Sequence, residues 1–311
     1  MAETLSYTPE ELAKILKVTR FTVYEMIKRG DFPAYRIGRK VRVEAPDLEA
    51  YIHKSKGSNV PMPAVGEKTE GVSGAGPDEI VLCGQDALLD TLTRHIQSKL
   101  PHVRLLRNYV GSFDGLMALY HGKVNAVTTH LWDSDTDTYN TPYVRRLLPG
   151  HHTLIINLVY RMEGFYVAKG NPKNIQTWQD LLKPGVRLVN RECGSGARVL
   201  LDEKFRVCKM DRKQIEGYEH EEMSHLAVAS YVARGEADVG LGIEKVALQV
   251  KELDFIPLQK EQYDLVIRGE DAERPQFKAL LSVLRSKKFH NELLGMGGYD
   301  LTRTGEIIAE T

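Results

Sequence analysis

Three short segments pair small residues and hydroxyls with the start of a helical pattern. Val110-Gly111-Ser112-Phe113-Asp114-Gly115 leads into LMALYHGK, and Val189-Asn190-Arg191-Glu192-Cys193-Gly194-Ser195-Gly196-Ala197-Arg198 leads into VLLDEKF. Cys83-Gly84-Gln85-Asp86 leads into a helix from Ala87. Small residues at a strand-to-helix junction leave backbone N–H groups facing a ligand, and the positive end of the helix dipole favours an anion there. Ser112 and Ser195 add hydroxyl donors; Arg191 and Arg198 add charge. For each turn alone, plain loop chemistry is the alternative. The GSGAR turn does not fit GxxxxGK[ST] and no GxGxxG occurs, which disfavours nucleotide binding.

Other reactive residue types lack the spacing their chemistry needs. His121, His130, His151 and His152 have no matching Cys/His/carboxylate pattern, so surface or satisfied histidines are expected and no metal site is assigned. Gly194-Ser195-Gly196 is not GxSxG, and no triad follows from spacing. Cys83, Cys193 and Cys208 are scattered and odd in number, without a CxxC pair, which supports neither a disulfide framework nor a zinc finger. Cys193 at a helix start could sense redox; a spectator thiol is the expectation. Trp132 and Trp178 are expected in the core or as cleft walls. No catalytic residue, cofactor or enzymatic activity is expected.

The elements that carry these residues fall into two parts. Residues 57–77, with five Gly and three Pro in 21 positions, read as a flexible linker between residues 1–56 and 78–311. Over 311 residues, 42 Lys/Arg balance 42 Asp/Glu, which argues against a histone-like or membrane-coating protein. Yet residues 1–56 carry 11 basic and 8 acidic residues, a net of +3, and Thr19–Val43 alone carries +5. That is a plausible footprint for a phosphate backbone, or else a solvated basic face. No apolar run approaches the ~20 residues that span a bilayer, and the charged N-terminus lacks a signal-peptide core, so a cytoplasmic address and no membrane partner are expected.

Within the first part, Thr8-Pro9-Glu10-Glu11 is a capping box that starts a helix at Pro9, with Leu12, Ile15 and Leu16 as its apolar stripe. Thr19 caps a second helix whose Val23, Met26 and Ile27 face inward, leaving Arg20, Thr22, Tyr24 and Lys28 on the other side. Pro33–Ile37 and Val41–Val43 form a hairpin with a basic tip, Gly38-Arg39-Lys40, and Asp47–His53 a closing helix. Two helices and a tight turn suit the DNA major groove. The run YTPEELAKILKVTRFTVYEMIKRGDFPAYRIGRKVRVEAPDLEAYI resembles the excisionase/MerR-like winged helix-turn-helix domains along its whole length. The DNA-contact candidates are Thr19, Arg20, Thr22, Tyr24, Lys28, Arg36, Arg39 and Lys40; Arg36, like Arg42, could equally be a solvent-facing strand residue.

The second part alternates β-rich runs (Glu79–Cys83, Asn125–Thr129, Thr153–Tyr160, Val186–Asn190, Asp238–Leu241, Asp264–Ile267) with helical stretches, which reads as α/β with a mainly parallel sheet. KGNPKNIQTWQDLLKPGVRLVN, GSGARVLLDEKF and HLAVASYVARGEADVGLG resemble a type II periplasmic-binding-protein fold from Asp78 to Ile308, as in molybdate- and sulfate-binding proteins and LysR-type effector domains. GSFDGLMAL, THLWD, PYVRRLLPG and NRECGSGAR resemble the cytoplasmic PBP-like domains fused to helix-turn-helix or molybdopterin-biosynthesis proteins. The resemblance implies two lobes with a ligand between them. It places Ser112, Thr129, Ser195, Gly196 and Arg198, with Ser224, in the cleft. Asp86 and Asp133 near that cleft would repel a dianion unless turned away or paired.

The expected function is a one-component transcription regulator with double-stranded DNA as partner, molybdate or tungstate as effector, and a homodimer or larger assembly as its working form. A small organic effector, or an enzyme domain of molybdenum-cofactor metabolism recruited to DNA, are the alternatives. A cleft lined only by hydroxyl and N–H donors favours the oxyanion; an aromatic or carboxylate-bearing one favours the organic ligand.

Overall fold

The computed structural model describes residues 6–16, 23, 26–27, 33–37, 40–48, 76 and 78–311. The chain divides into two compact units, residues 1–70 and 71–311.

In the first unit, β1 (Ser6–Tyr7) precedes α1 (Pro9–Leu16). The capping residues set where this helix starts. Thr8 N donates to Glu11 Oε2 at 2.7 Å, and Glu11 N donates to Thr8 Oγ1 at 3.3 Å. β2 (Tyr35–Ile37) and β3 (Lys40–Glu44) form an antiparallel hairpin, and β1 pairs with the other edge of β3. Residues 23, 26, 27 and 45–48 are helical. Leu12, Val23, Met26, Val43 and Leu48 meet in one small core. Ile15, assigned to the apolar stripe, is 46% exposed, and among the described residues the core takes Leu12 and Ala13 from this helix.

The second unit is a two-lobed α/β structure. In the first lobe β4 (Glu79–Cys83) lies parallel to both β5 (Arg104–Asn108) and β6 (Ala126–Thr129). Between these strands run α2 (Leu88–Lys99) and α3 (Ser112–Tyr120). A ribbon of β7 (Trp132–Asp133) and β8 (Thr138–Tyr139) leads to α4 (Thr141–Leu147). β9 (Thr153–Ala168) then leaves for the second lobe. There β10 (Leu188–Arg191), α5 (Gly196–Cys208), β11 (Glu221–Glu222), α6 (His225–Ala233), β12 (Val239–Ile243) and α7 (Glu244–Ala247) follow, with β10 parallel to β11 and β12. β13 (Leu253–Arg268) returns, and α8 (Gly269–Ala272), α9 (Pro275–Leu284), α10 (Lys287–Met296) and β14 (Ile307–Glu310) complete the first lobe. Among the described residues the main sheet runs β11-β10-β12-β9-β13-β6-β4-β5, with β14 on β9.

β9 and β13 are 16 residues each and pair antiparallel. At roughly 3.3 Å per residue they reach about 50 Å, enough to cross from lobe to lobe. The sheet is therefore mixed rather than mainly parallel, and both strands extend well beyond the apolar runs at Thr153–Tyr160 and Asp264–Ile267. Arg161, Glu163 and Glu261 break the apolar reading, yet all three are buried within the strands. Near the crossing the register shifts between Pro257 and Gln259, opposite Gly164. A β-carbon on Gly164 would lie 2.2 Å from Ile256 O, so only glycine lets the strands approach this closely.

Each lobe packs helices on both faces of its part of the sheet. α2, α9 and α10 cover one face of the first lobe through Leu88, Leu92, Phe277 and Phe289, while α3 and α4 cover the other through Leu116, Leu119 and Val144. In the second lobe α5 packs Leu200, Leu201 and Phe205 on one face, and α6 packs Val228, Ala229 and Val232 on the other.

Candidate ligand-binding cavity

Four helices of eight or more residues begin at one place among the described residues. The start of α2 at Ala87, of α3 at Gly111-Ser112, of α5 at Ser195-Gly196 and of α6 at Ser224-His225 all line a cavity of about 530 Å³ between the lobes. The local chemistry of each turn explains why. Ser195 Oγ accepts from Arg198 N at 3.3 Å, and Ser224 Oγ accepts from Ala227 N at 3.1 Å. A hydroxyl that caps a helix in this way keeps its own proton to donate. Ser112 Oγ accepts from His130 N at 3.4 Å. The positive dipole ends of four helices thus border one space.

The lobes touch beside the cavity. Phe113 N donates to Gly194 O at 3.0 Å, joining the start of α3 to the turn before α5. A β-carbon on Gly111 would meet Gly194 O and the Ser195 backbone at 3.1 Å, and one on Gly196 would sit 2.4 Å from His130 Cε1. Both glycines are small so that the lobes can close on each other. Arg191 Nη2 donates to Gln85 Oε1 at 2.9 Å across the same gap, and Glu192 holds Arg191 Nε at 2.7 Å.

Beneath the cavity lies a buried charge network. Arg161 on β9 pairs with Asp86 and Glu261 and lies over the Tyr263 ring at 4.0 Å. Burial works against its charge, but Glu261 and Asp86 outweigh burial and raise its pKa above the ordinary value. Asp86 has both oxygens engaged: Oδ1 accepts from Leu88 N at 2.8 Å and Tyr299 OH at 2.6 Å, and Oδ2 meets Arg161. His130 Nδ1 lies 2.7 Å from Glu261 Oε2. Burial opposes the Glu261 charge, but Arg161 and His130 hold its carboxyl below the usual range. Glu163 is fully buried beside it, and neither of its oxygens accepts a hydrogen bond from the described residues. Burial and then the Glu261 charge push Glu163 well above its ordinary value. His225, at the start of α6, is pushed down by burial and then by Arg191, Arg161 and His130, so its imidazole is neutral.

Of the cleft candidates, Ser112, Ser195, Gly196 and Ser224 line the cavity. Arg198 does not: its guanidinium donates to Glu221 Oε1, Asp202 Oδ2 and Arg191 O and stacks on Tyr218. Thr129 is buried off the cavity wall, and its neighbour Thr128 lines the wall instead. Asp133 is occupied by Thr136. Trp132 and Trp178 belong to the second lobe's core. Sequence reasoning missed Arg161, His225, Tyr263 and Tyr299 as lining residues. The one signal available was charge within the otherwise apolar β9 at Arg161 and Glu163; Glu261 lies in the polar run QKEQYD and gives none. Of the DNA-contact candidates, Thr19, Arg20, Thr22, Tyr24, Lys28 and Arg39 lie outside the described residues, while Arg36 and Lys40 occupy β2 and β3. No helix of the described residues is long and apolar enough to cross a membrane.

Residues 93–285 match the PBP superfamily domain, and residues 6–56 match a helix-turn-helix domain. The chain is 42% identical over 314 aligned residues to the uncharacterized protein YvgK of Bacillus subtilis, covering 100% of both chains. Two of the solved structures that share the fold serve as examples. The tungstate ABC transporter from Geobacter sulfurreducens superposes with a TM-score of 0.53 at 12% identity, over 70% of this chain and 98% of that one. A hydrogen-peroxide-bound mutant of Corynebacterium glutamicum OxyR superposes with a TM-score of 0.51 at 14% identity, over 93% of this chain and 89% of that one. The two lobes, the strands that cross between them and the cavity agree with that match: the chain belongs to the PBP superfamily, with a helix-turn-helix domain over residues 6–56.

Proposed function

We propose that the protein is a one-component transcription regulator, in which the helix-turn-helix domain binds operator DNA and the interlobe cavity receives a small anion, with molybdate or tungstate as the leading candidates. The observation that carries the ligand class is the convergence of four helix starts on one cavity. Asp86, the one carboxylate among the lining residues, does not oppose an anion, because Arg161, Tyr299 and Leu88 N occupy it. Ser112, Ser195 and Ser224 supply hydroxyl donors, and neutral His225 supplies a further polar contact.

Ligand closure of the lobes would change the relative placement of two DNA-binding domains in a cytoplasmic dimer. DNA affinity then shifts only by the ligand's differential contacts in the two states. A single small module buries too little surface for tight operator binding, which is why the working form is at least dimeric.

A second reading has its own support. The exposed Tyr109, Met223 and Leu226 give the cavity an apolar rim, and about 530 Å³ leaves room beyond one tetrahedral oxyanion. Both features suit a small organic acid. Calorimetric titration of the full chain with molybdate, tungstate, sulfate and a panel of small carboxylic acids separates the two. Saturable molybdate or tungstate binding, weakened at least tenfold in the Ser112→Ala/Ser195→Ala double variant, supports the oxyanion sensor. Binding of a carboxylic acid alone moves the assignment to the organic ligand, and binding of no anion sinks both.

A further inference from the structure

The network under the cavity floor carries an uncompensated buried charge. Asp86, Glu163 and Glu261 bring three carboxylates, against which Arg161 sets one guanidinium; Arg191 is matched by Glu192. Asp86 and Glu261 are engaged by Arg161, and Glu261 by His130 as well. Glu163, fully buried on β9, accepts no hydrogen bond among the described residues; it faces the like-charged Glu261 carboxyl, and its candidate ligand atom gathers with those of Glu261 and His130. An ionised carboxylate left so far from water costs several kcal/mol unless something neutralises it.

We propose that His130, Glu163 and Glu261 form a binding site for one divalent first-row transition cation such as Zn²⁺ or Mn²⁺, seated beneath the ligand cavity and reached through it past His130. One imidazole and two carboxylates are a donor set these ions accept. Their candidate ligand atoms all lie within 4.8 Å of one another. Donors held about 2.1 Å from a common ion stand about 3 Å apart at adjacent octahedral positions, about 4.2 Å apart at opposite ones, and about 3.4 Å apart in a tetrahedral shell. The 2.7 Å between His130 Nδ1 and Glu261 Oε2 is a few tenths of an ångström under the spacing of two adjacent octahedral ligands, so these two donors would part slightly around an ion.

The charges also balance. With a neutral imidazole, the three carboxylates and Arg161 sum to minus two, which a dication cancels; without the ion, two protons must take its place. Arg161 would remain on Asp86 and on the other Glu261 oxygen, orienting that ligand from behind. His130 itself lines the cavity, so the ion would have a position open to whatever small molecule binds there. Glu163 and Glu261 stand on the two crossing strands and His130 follows β6, so the ion would tie the crossing strands to the first lobe.

The site stands or falls independently of the effector assignment, because the test uses metal alone. The full chain, freed of metal with a chelator, is titrated calorimetrically with Zn²⁺ and with Mn²⁺ in two buffers of different ionisation enthalpy, no anionic effector present. The expected result is one ion per chain, release of one to two protons per ion, and affinity at least tenfold weaker in both Glu163→Gln and His130→Gln. Glu163→Gln keeps the shape of the protonated acid, so its cooperative melting is retained and it decides the matter if the His130 variant misfolds. No saturable one-to-one binding, or binding that Glu163→Gln leaves unchanged, overturns the proposal and assigns the missing charge to protons.

Discussion

Gly196 sits where any larger residue would drive into the His130 ring, 2.4 Å from Cε1, and that ring is pinned by Glu261 at 2.7 Å. Gly196→Ala is expected to lower stability by about 1–3 kcal/mol, the usual cost of overpacking, and to loosen ligand binding by holding the lobes apart. Denaturant melts with parallel ligand titration check both effects. Arg161→Met leaves Asp86 and Glu261 buried without their cation, which should cost about 3–5 kcal/mol in urea unfolding. Asp264 offers a test by pH. Burial raises its pKa from 3.8 to about 6, against the hydrogen bonds from Asn140, Gln262 and Asn157. The native state therefore keeps a proton that the unfolded chain releases, so this contribution is full below about pH 4 and is lost as pH rises to about 6. Asp264→Asn should remove that slope from a plot of melting temperature against pH. If the slope is the same in both proteins, Asp264 is not its source. At this scale the serines and Gly196 could be found from their turns, because a helix cap involves only neighbours within a few residues. Thr129 and Arg198 could not be placed. A strand alternates faces with every residue, so choosing Thr128 over Thr129 needs a register, and Arg198 finds Glu221 from another strand.

Among the elements, the two long strands matter most for the site, and they were the least legible. β9 and β13 each place buried charge in mid-strand, where a period-two apolar pattern is the usual signal. The partners that make this tolerable are remote: Arg161 meets Glu261, 100 positions along the chain, and Asp86, 75 positions away. The crossing itself depends on Gly164. Gly164→Ala would set a β-carbon 2.2 Å from Ile256 O, a backbone atom held by the neighbouring strand. It should destabilise by at least about 1–3 kcal/mol and disturb ligand closure, where a flexible side chain in the way would have yielded more cheaply. Thermal melting is the check, and a wild-type melting temperature would show that the strands have slack. The start of α1, by contrast, was readable to the residue, since Thr8 and Glu11 cap each other across three positions.

For the whole molecule, the uneven charge is the feature with the clearest consequence. Net +5 over Thr19–Val43 in a chain of zero net charge concentrates any contact with DNA phosphates in the first unit. Operator affinity of the full chain should fall at least tenfold between about 50 and 200 mM salt, measured by fluorescence anisotropy; a flat response would remove the basic face from the interface. By itself the sequence determined the two-part organisation, the capped first helix, the α/β class of the larger part, and the small-residue turns at which helices begin. Each depends on composition or on residues a few positions apart, whose interactions need no contact with a distant part of the chain. Only the tertiary structure decided that four of those helix starts share one cavity, that the strands between lobes are antiparallel and run two and four times the length of their apolar runs, and that Arg161, Glu163, Glu261 and His130 meet beneath it. Those pairings join residues tens to more than a hundred positions apart. Charges buried together interact strongly only once the chain has closed those distances and expelled the water that would otherwise screen them.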